Sequence, residues 1–364
     1  MRVMHIITGL GAGGAENQLR LLVSRTRHDA EVITLTNPGS VAAAIQAEGT
    51  PVQNAGMWGN RDVRALWALR ARIRDYRPHV VHVHLFRACV YGRIAARLAS
   101  VPNVVTTEHS LGDGYIEGRA TTRGNRFLYL LTDRLSDVTV AVSNTVRERL
   151  VDWGVPPNKI VVIPNGLDFE ALRFDSEVRG EARREFGFPH NAVVIGALGR
   201  LDAVKGFDIL LEASRPLLAQ GCRLLIVGDG PERAKLVEQA SAYGLASSVV
   251  FAGERRDVPR LLAAMDLMVA PSFSETFGLA VIEGLGAGLP VIYTECPALE
   301  QIANRGGANA RRVSGGDRRS LLQAMQATIA SPPERKAPPS VVERFGIAAC
   351  SAATDRLYES LSTN

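Results

Sequence analysis

Short apolar runs recur along the whole chain, and each of them ends at a glycine, a proline or a polar loop. Runs of this kind are typical of parallel strands that are buried on both faces of a sheet. Between several of the runs, apolar residues recur at helical spacing. The alternation of strands and helices predicts an α/β protein with parallel sheets. The predicted strands are Val3–Thr8, Glu31–Leu35, Pro51–Asn54, Val80–His84, Asn103–Thr107, Val138–Val142, Lys159–Pro164, Ala192–Leu198, Arg223–Val227, Val249–Phe251, Leu267–Ala270 and Val291–Tyr293.

The clearest example of this pattern is the segment 265–293. A strand at Leu267–Ala270 stops at Pro271, and a mostly polar loop follows. A helix then starts near Gly278 and ends at two glycines, and Val291–Tyr293 is the next strand. The first turn of a helix carries backbone N–H groups without partners, so the start of this helix is a ready site for phosphate.

Two glutamates bracket the start of this helix. Glu275 lies in the loop before it, and Glu283 follows eight residues later, which is about 12 Å along a helical path. A diphosphate on the helix start would leave a hydroxylated ring near Glu275 and a ribose diol within reach of Glu283. A nucleotide-sugar has all three parts, so the spacing indicates a nucleotide-sugar site. The alternative interpretation is a capping carboxylate plus a solvated helix glutamate.

The residues around these glutamates resemble a known family. The segment 274–292, S-E-T-F-G-L-A-V-I-E-G-L-G-A-G-L-P-V-I, is similar to the E-x7-E signature of retaining glycosyltransferases of the GT-B fold, specifically glycosyltransferase family 4. The resemblance implies two Rossmann-like domains whose parallel sheets face each other across a cleft. It implies an acceptor-binding domain at residues 1–168 and a nucleotide-sugar-binding domain at 169–342. A C-terminal helix at 343–364 would cross back to the first domain.

A second motif, G-R-L-D-A-V-K-G at residues 199–206, resembles the family signature that binds the two donor phosphates. The resemblance assigns this role to Arg200 and Lys205. Positioned cations suit the chemistry, because negative charge accumulates on the leaving diphosphate as the glycosidic bond breaks. Lys205 is one of only four lysines in a chain that otherwise uses arginine, which favours a compact ammonium at this site. The alternative interpretation is a surface charge pair.

The resemblance extends to other donor residues in the second half of the chain. The donor base would lie against the turn after strand 249–251, which implies contacts from Gly253 and Arg255. Glu275 would hold the hydroxyls of the donor sugar, and Glu283 would hold the ribose. The catalytic assignments are His109, Glu275, Arg200 and Lys205, and the donor-binding assignments are Gly13, Gly14, Arg200, Lys205, Gly253, Arg255, Glu275, Phe277, Gly278, Leu279 and Glu283.

The first strand is followed by a glycine loop, G-L-G-A-G-G at residues 9–14, and by a helix from about Ala15 to Ser24. This opening is typical of nucleotide-binding α/β units, although a glycine loop alone also fits a tight turn. The family resemblance of G-G-A-E assigns Gly13 and Gly14 to close backbone approach by the donor diphosphate and the acceptor. It assigns Glu16 to the acceptor.

Histidines mark the ends of two predicted strands. His82 and His84 share one strand face and could bind a metal, but no third ligand has a suitable spacing, so we expect no metal. We expect His84 and Arg87 to line the acceptor site, because ligands bind at the carboxyl ends of strands in such sheets. The resemblance puts His109, in T-E-H-S, against the donor sugar and acceptor. The alternative for His109 is a hydrogen-bonded polar residue at a strand end.

Two further segments complete the expected structure. Gly112–Asn125 is polar and rich in glycine, which predicts a mobile loop over the acceptor site, and Arg119 within it could recognise acceptor charge. Val341–Leu361 predicts one or two helices, which suit the crossing helix of a GT-B protein.

Composition narrows the class of protein. The chain has 364 residues, enough for two domains, and its net charge of +5 suits a polyanionic ligand. The predicted helix Arg61–Arg77, with Trp67, indicates a solvated face first and a membrane-surface patch second, and not a nucleic-acid site. No apolar run is long enough for a membrane span, the N-terminus lacks a signal-peptide pattern, and four scattered cysteines indicate reduced thiols. We expect a cytoplasmic protein, with peripheral contact with the cytoplasmic membrane face as a further option.

These features predict a retaining, metal-independent glycosyltransferase without a cofactor. It would move a sugar from a nucleotide-diphosphate sugar, with UDP favoured by its frequency in the family, to a hydroxyl acceptor. The favoured acceptor is a lipid-linked or polysaccharide intermediate in bacterial polysaccharide biosynthesis, and a small-molecule natural product is the alternative. Two other classes stay open: a nucleotide-sugar 2-epimerase, which needs no acceptor, and a non-catalytic binding module.

Overall fold

A computed structural model describes residues 1–11, 13–60, 62–117, 119–302 and 307–362, without the side chains of residues 119 and 308. The chain divides into two compact units. We call Met1–Leu167 together with Ile347–Asn364 the first unit, and Asp168–Gly346 the second unit.

The first unit is built on a parallel sheet. Its strands are β1 (Arg2–Ile7), β2 (Asp29–Thr34), β3 (Val52–Asn54), β4 (Val80–His84), β5 (Asn103–Glu108), β6 (Tyr115–Ile116), β7 (Arg119–Ala120), β8 (Val138–Ala141) and β9 (Ile160–Val162). The sheet order is β3-β2-β1-β4-β5-β8-β9, and β6 and β7 form a separate antiparallel hairpin. The order reverses between β1 and β4, which is the point where doubly wound sheets bind ligands.

Helices cover both faces of this sheet, because alternate strand residues point to opposite sides. The helices are α1 (Gly14–Val23), α2 (Gly39–Ala47), α3 (Val63–Tyr76), α4 (Phe86–Leu98), α5 (Arg123–Asp133), α6 (Asn144–Trp153) and, from the end of the chain, α15 (Ile347–Ser362). Met4 and Ile6 pack in a core with α3 and α4. On the opposite face, Ile7 packs with α1 and α2, and Val3 packs with α15.

The last helix follows the second unit in the chain but packs in the first. Asp355 accepts hydrogen bonds from the Thr26 hydroxyl (2.7 Å) and the Arg27 backbone N–H (3.3 Å). The Tyr358 hydroxyl lies 2.5 Å from Nδ1 of His82. The C-terminal helix is therefore part of the first unit.

The second unit repeats the same strand order. Its strands are β10 (Val194–Leu198), β11 (Arg223–Val227), β12 (Val249–Gly253), β13 (Leu267–Ala270), β14 (Val291–Tyr293) and β15 (Ala310–Arg312). Its helices are α7 (Ser176–Glu185), α8 (Phe207–Ala219), α9 (Arg233–Ala242), α10 (Val258–Ala264), α11 (Leu279–Gly286), α12 (Pro297–Glu300), α13 (Arg318–Ala330) and α14 (Pro339–Phe345). The parallel sheet has the order β12-β11-β10-β13-β14-β15, so its switch point lies between β10 and β13.

The strand predictions are confirmed to within a few residues, but the loop predicted at Gly112–Asn125 is wrong in part. The segment contains the hairpin of β6 and β7, and α5 already begins at Arg123. Leu111 and Ile116 are buried and form a β-bridge with each other, so this segment contains two buried apolar side chains. The glycine and polar residues that dominate the segment gave no indication of this bridge.

Candidate functional site

In the second unit, the loops after β10 and β13 pack against each other at the switch point. The Phe273 N–H donates a hydrogen bond to the Val204 carbonyl oxygen (2.8 Å). Gly206 has a φ of +65°, and a Cβ there would collide with the carbonyl oxygen of Pro271. Glycine alone allows this approach without strain. The phosphate motif is therefore held against the loop that leads into α11.

This packing brings Lys205, which is predicted to bind the donor phosphates, next to Glu275, which is predicted to bind the donor sugar. Nζ of Lys205 lies 2.6 Å from Oε1 of Glu275, and the exposed fractions of the two side chains are 25% and 15%. An ammonium has three donors, and a carboxylate accepts through two oxygens. The pair can therefore bind an oxyanion and a hydroxyl while it stays intact.

Arg200 differs from Lys205 in its surroundings. Its side chain is 65% exposed, and its Nε lies 2.8 Å from Oδ2 of Asp202. An exposed pair of this kind contributes little, about 0–1 kcal/mol. The Arg200 guanidinium can therefore turn from Asp202 to a bound anion at small cost, whereas Lys205 is already positioned.

The start of α11 is shaped by the F-G-L part of the motif. Gly278, at the N-cap, has a φ of +91°, and a Cβ there would lie 2.6 Å from Sγ of Cys296. Because glycine brings no side-chain acceptor, the N-cap itself leaves the first N–H groups of the helix available, beginning with Leu279. Phe277 is buried, and its ring packs 5.4 Å from the ring of Phe345 on α14.

Glu283 is a half-buried carboxyl on α11. It makes no hydrogen bond or ion pair with any residue that the structure describes, and burial raises its pKa to about 7. A carboxylate in this state has unused acceptors on both oxygens. It can accept hydrogen bonds from two neighbouring hydroxyls, which is what a ribose diol offers.

The residues predicted to contact the base lie at the end of β12. Gly253 is the last residue of that strand and has a φ of +71°. Arg255 pairs with Asp257 and Glu185, each at 2.6 Å, and its guanidinium lies over the ring of Phe186. The Arg255 guanidinium is thus held within the second unit by two carboxylates and a ring.

In the first unit, the glycine loop leads directly into α1. A Cβ on Gly13 would collide with the carboxylate of Glu16, so this carboxylate folds back over the start of α1, where Gly14 is the first residue. The side-chain amide of Asn17 donates a hydrogen bond to the Gly13 carbonyl oxygen (3.1 Å). A carboxylate near a helix start interacts favourably with its N–H groups. The predicted acceptor residue Glu16 and the predicted donor glycines therefore lie together.

The expectation that no third possible ligand accompanies His82 and His84 is wrong. His5 on β1 lies opposite His82 on β4, and the ligand atoms of all three histidines lie within 4.8 Å of one another. Strand pairing, and not spacing along the chain, creates this neighbour. Both ring nitrogens of His82 already bond to hydroxyls, those of Thr107 (2.6 Å) and Tyr358 (2.5 Å). We therefore interpret the group as a hydrogen-bonded cluster, and a metal-free site stays a prediction.

Two of the predicted strand-end residues come together. Nδ1 of His84 lies 3.2 Å from Nε2 of His109. Burial lowers the pKa of His109 to about 4 and lowers that of His84 well below its ordinary value, so both rings are neutral at pH 7. Arg87 is half-buried in the first turn of α4. The side chain of Arg119 lies outside the described part of the chain.

Sequence reasoning missed two polar residues of the first unit. A cavity of about 30 Å³ beside His84 and His109 is also lined by Gln18 and Asn165. Oε1 of Gln18 accepts the backbone N–H of Gly166 (2.9 Å), which fixes the side chain. Gln18 and Asn165 are far apart in the sequence, and no sequence pattern indicates that they line the same cavity.

The fold and the site together define a class of enzyme that acts on nucleotide sugars. Residues 12–171 match the family profile described as Glycosyltransferase Family 4, and residues 192–331 match the profile described as Glycosyl transferases group 1. D-inositol 3-phosphate glycosyltransferase of Rhodococcus jostii is 31% identical over 89% of this chain and 78% of its own length. The chain therefore belongs to the group 1 and family 4 glycosyltransferases and transfers a sugar from a nucleotide sugar.

Other relatives and solved structures agree with this family. UDP-Gal:alpha-D-GlcNAc-diphosphoundecaprenol alpha-1,3-galactosyltransferase of Escherichia coli is 29% identical over 64% of this chain, and the chain spans 62% of that enzyme's length. HepE of Anabaena, solved with UDP and glucose, has a TM-score of 0.85 at 23% identity, with both chains covered completely. The lipopolysaccharide glycosyltransferase WaaG has a TM-score of 0.70 at 18% identity, with 99% of this chain and 98% of WaaG covered. The fold is thus that of GT-B glycosyltransferases.

Proposed function

We propose that this glycosyltransferase is retaining and metal-independent, and that it moves a sugar from a UDP-sugar to a lipid-linked or polysaccharide intermediate. The contact between Lys205 and Glu275, beside the start of α11, is the observation that carries the proposal. A cation and a carboxylate 2.6 Å apart can hold the diphosphate and a sugar hydroxyl of one donor molecule. The carboxyl of Glu283 has no partner among the described residues, and it supports the same donor because it suits the ribose diol.

The proposed mechanism needs little beyond positioned charge. Lys205, Arg200 and the N–H groups at the start of α11 stabilise the negative charge that grows on the leaving diphosphate. These groups do the work that a metal ion would do in other transferases. An oxygen of the leaving phosphate takes the acceptor proton on the same face of the sugar, so retention needs no protein nucleophile. His109 is neutral and contributes a hydrogen bond rather than a charge.

Substitution of Lys205 tests the donor site. We expect Lys205→Ala to lower kcat/KM by about 100-fold or more, because a preorganised cation at the leaving group is lost. Lys205→Arg restores the charge without the compact geometry and should recover only part of the activity. Lys235→Ala is the matched control, since Lys235 is exposed on α9 and pairs with Glu232. Unchanged turnover in Lys205→Ala would contradict the proposed site.

The stereochemistry and the base are tested separately. NMR of the product should show that the new linkage keeps the anomeric configuration of the donor, and an inverted linkage would end the retaining assignment. UDP is supported by the name of the Escherichia coli relative and by the UDP complex of HepE. In a thermal-shift panel, UDP-sugars should raise the melting temperature more than GDP- or ADP-sugars do.

The acceptor has two candidates. The Escherichia coli relative, whose name gives a diphosphoundecaprenol acceptor, supports a lipid-linked intermediate. The relatives named D-inositol 3-phosphate glycosyltransferase support a small polar acceptor instead. Assays with both kinds of acceptor separate the two. An epimer formed from the nucleotide-sugar alone, without acceptor, would favour the 2-epimerase.

A peripheral contact between this cytoplasmic protein and the inner membrane belongs to the same proposal. Trp67 on α3 and Phe127 on α5 are 55% and 67% exposed. The arginines on or next to these two helices are Arg64, Arg70, Arg72, Arg74, Arg77, Arg123, Arg126 and Arg134. Exposed aromatic rings among arginines suit an anionic bilayer surface. Equal sedimentation with phosphatidylglycerol and phosphatidylcholine vesicles would contradict the contact. No helix in the described ranges has both the length and the hydropathy that crossing a bilayer demands.

A further inference from the structure

Three histidines of the first unit form a hydrogen-bonded chain towards the carboxyl edge of the sheet. Nδ1 of His5 lies 3.1 Å from Nε2 of His84, and Nδ1 of His84 lies 3.2 Å from Nε2 of His109. His5 and His84 are buried strand residues, and their rings are stacked with centroids 5.4 Å apart. The orientation of each ring is therefore fixed by packing as well as by hydrogen bonds.

The hydrogen-bonded chain of histidines has only two consistent arrangements of hydrogens. Burial lowers the pKa of His5 to about 3 and that of His109 to about 4, and it lowers that of His84 strongly, so all three rings are neutral near pH 7. A neutral imidazole has one N–H and one lone pair. Each ring must accept through one nitrogen and donate through the other. The hydrogens therefore all lie on Nδ1, or they all lie on Nε2.

The surroundings of the two ends of the histidine chain distinguish these arrangements. Within the described residues, Nε2 of His5 and Nδ1 of His109 have no hydrogen-bond partner, and both atoms are buried. With the hydrogens on Nε2, the core would hold an N–H of His5 without an acceptor. With the hydrogens on Nδ1, the unpartnered N–H is instead that of His109, and His5 keeps an unused lone pair. Because an orphaned buried N–H is costly, the arrangement that leaves room for an acceptor is favoured. His109 lines a cavity and His5 is not among the residues that line it, so the Nδ1 arrangement is the favoured one.

We propose that His84 and His5 are positioning residues that hold His109 in the Nδ1–H tautomer, so that His109 acts as a hydrogen-bond donor. The cavity that His109 lines is about 30 Å³, which is room for one or two water molecules. This inference rests on the proposed function for its ligand: in the reaction, the Nδ1–H donates to an oxygen lone pair of the bound sugar or acceptor.

Two substitutions at His84 separate positioning from stability. In His84→Asn, the amide nitrogen takes the place of Nδ1 and can still donate to His109, but the acceptor for His5 is lost. In His84→Gln, the amide oxygen takes the place of Nε2 and can still accept from His5, but the donor to His109 is lost. The two variants therefore break opposite ends of the chain.

We expect stability and activity to move in opposite directions. His84→Asn should melt at the lower temperature and keep most of its kcat, whereas His84→Gln should be the more stable variant and lose about tenfold in kcat. A merely structural role for His84 would make activity follow stability in both variants, and this outcome would overturn the proposal. His190→Gln is the matched control, because His190 is exposed in the second unit. Circular dichroism of each variant identifies one that has failed to fold.

Nitrogen NMR gives a readout that does not depend on turnover. In protein with 15N-labelled histidine, His109 should carry its hydrogen on Nδ1, with no titration between pH 5.5 and 8. His84→Gln should give a mixture of tautomers at His109. A wild-type His109 with its hydrogen on Nε2 would overturn the proposal, even in an active enzyme. If the Nδ1 tautomer is present but no sugar is transferred, the proposed function fails and the histidine chain stands.

Discussion

At the scale of single residues, the carboxyl of Glu283 is kept at a cost to stability. Its pKa in the folded protein is about 7, raised by burial from 4.5, and no described residue donates a hydrogen bond to it. The protonated form is therefore stable in the fold. The stabilisation that the raised pKa gives to the folded protein is complete below pH 4.5 and is lost as the pH rises to about 7. Above that pH, an ionised and unpaired carboxylate opposes folding.

We expect Glu283→Gln to stabilise the protein at pH 8 and to weaken donor binding. Removal of the charge should raise the free energy of unfolding by on the order of 2 kcal/mol at pH 8, after allowance for partial exposure, and by little at pH 5. Loss of a charge-assisted acceptor for the ribose should weaken UDP binding about tenfold or more. Thermal melts at both pH values and calorimetric UDP titrations measure the two effects.

Glu238→Gln is the control, because Glu238 is exposed on α9 in the same unit and is not among the predicted site residues. It should change neither the melting temperature nor the UDP affinity. A Glu283→Gln variant that lost stability at pH 8 would show that an internal donor already satisfies this carboxylate. A variant with unchanged UDP affinity would remove Glu283 from the donor site.

At the scale of elements, a matched pair of glycines tests how the start of α11 is built. Gly278 combines a φ of +91° with a neighbour 2.6 Å from any Cβ, whereas Gly180 lies within α7 with nothing within 4 Å. Gly278→Ala should lose at least about 1–2 kcal/mol of stability and most of the donor affinity. Gly180→Ala should gain about 0.5–1 kcal/mol, because alanine is the better helix former. Urea unfolding and UDP titration of both variants provide the comparison.

A Gly278→Ala variant with wild-type stability and UDP affinity would contradict this view of the start of α11. The helix start would then tolerate a side chain, and its N–H groups could not be the anion site. Equal losses in both glycine variants would mean that the loss in Gly278→Ala does not arise from the shape of the loop before α11.

Individual strands and loops also differ in how well the sequence predicts them. Strands that are buried on both faces give strong apolar runs, so Val80–His84, Leu267–Ala270 and Val291–Tyr293 were predicted with their observed bounds. The resemblance assigned Lys205 and Glu275 to one donor molecule, because each residue lies in a specific motif, but it did not predict their direct contact. The neighbours of His84 and the hairpin at β6 and β7 could not be predicted. These contacts depend on which strands pair and on two apolar anchors.

At the scale of the whole molecule, the first unit is closed by residues from both ends of the chain. Asp355 on α15 accepts hydrogen bonds from Thr26 and from the backbone of Arg27, more than 300 residues earlier in the chain. Neither end can complete this unit alone. A long loop must close before such distant residues can meet. Other contacts offset the entropic cost of closing it.

Asp355→Ala should therefore destabilise the first unit selectively. It removes a buried acceptor from two donors, at a cost of about 2–3 kcal/mol. The three tryptophans, Trp58, Trp67 and Trp153, all lie in the first unit, so tryptophan fluorescence during urea unfolding reports on that unit, whereas circular dichroism reports on both. The fluorescence midpoint should fall in Asp355→Ala. Asp317→Ala, which removes the N-cap of α13 in the second unit, should cost about 1 kcal/mol and leave that midpoint unchanged. If both variants shift the fluorescence midpoint equally, the two units unfold as one, and the return of α15 does not stabilise the first unit selectively.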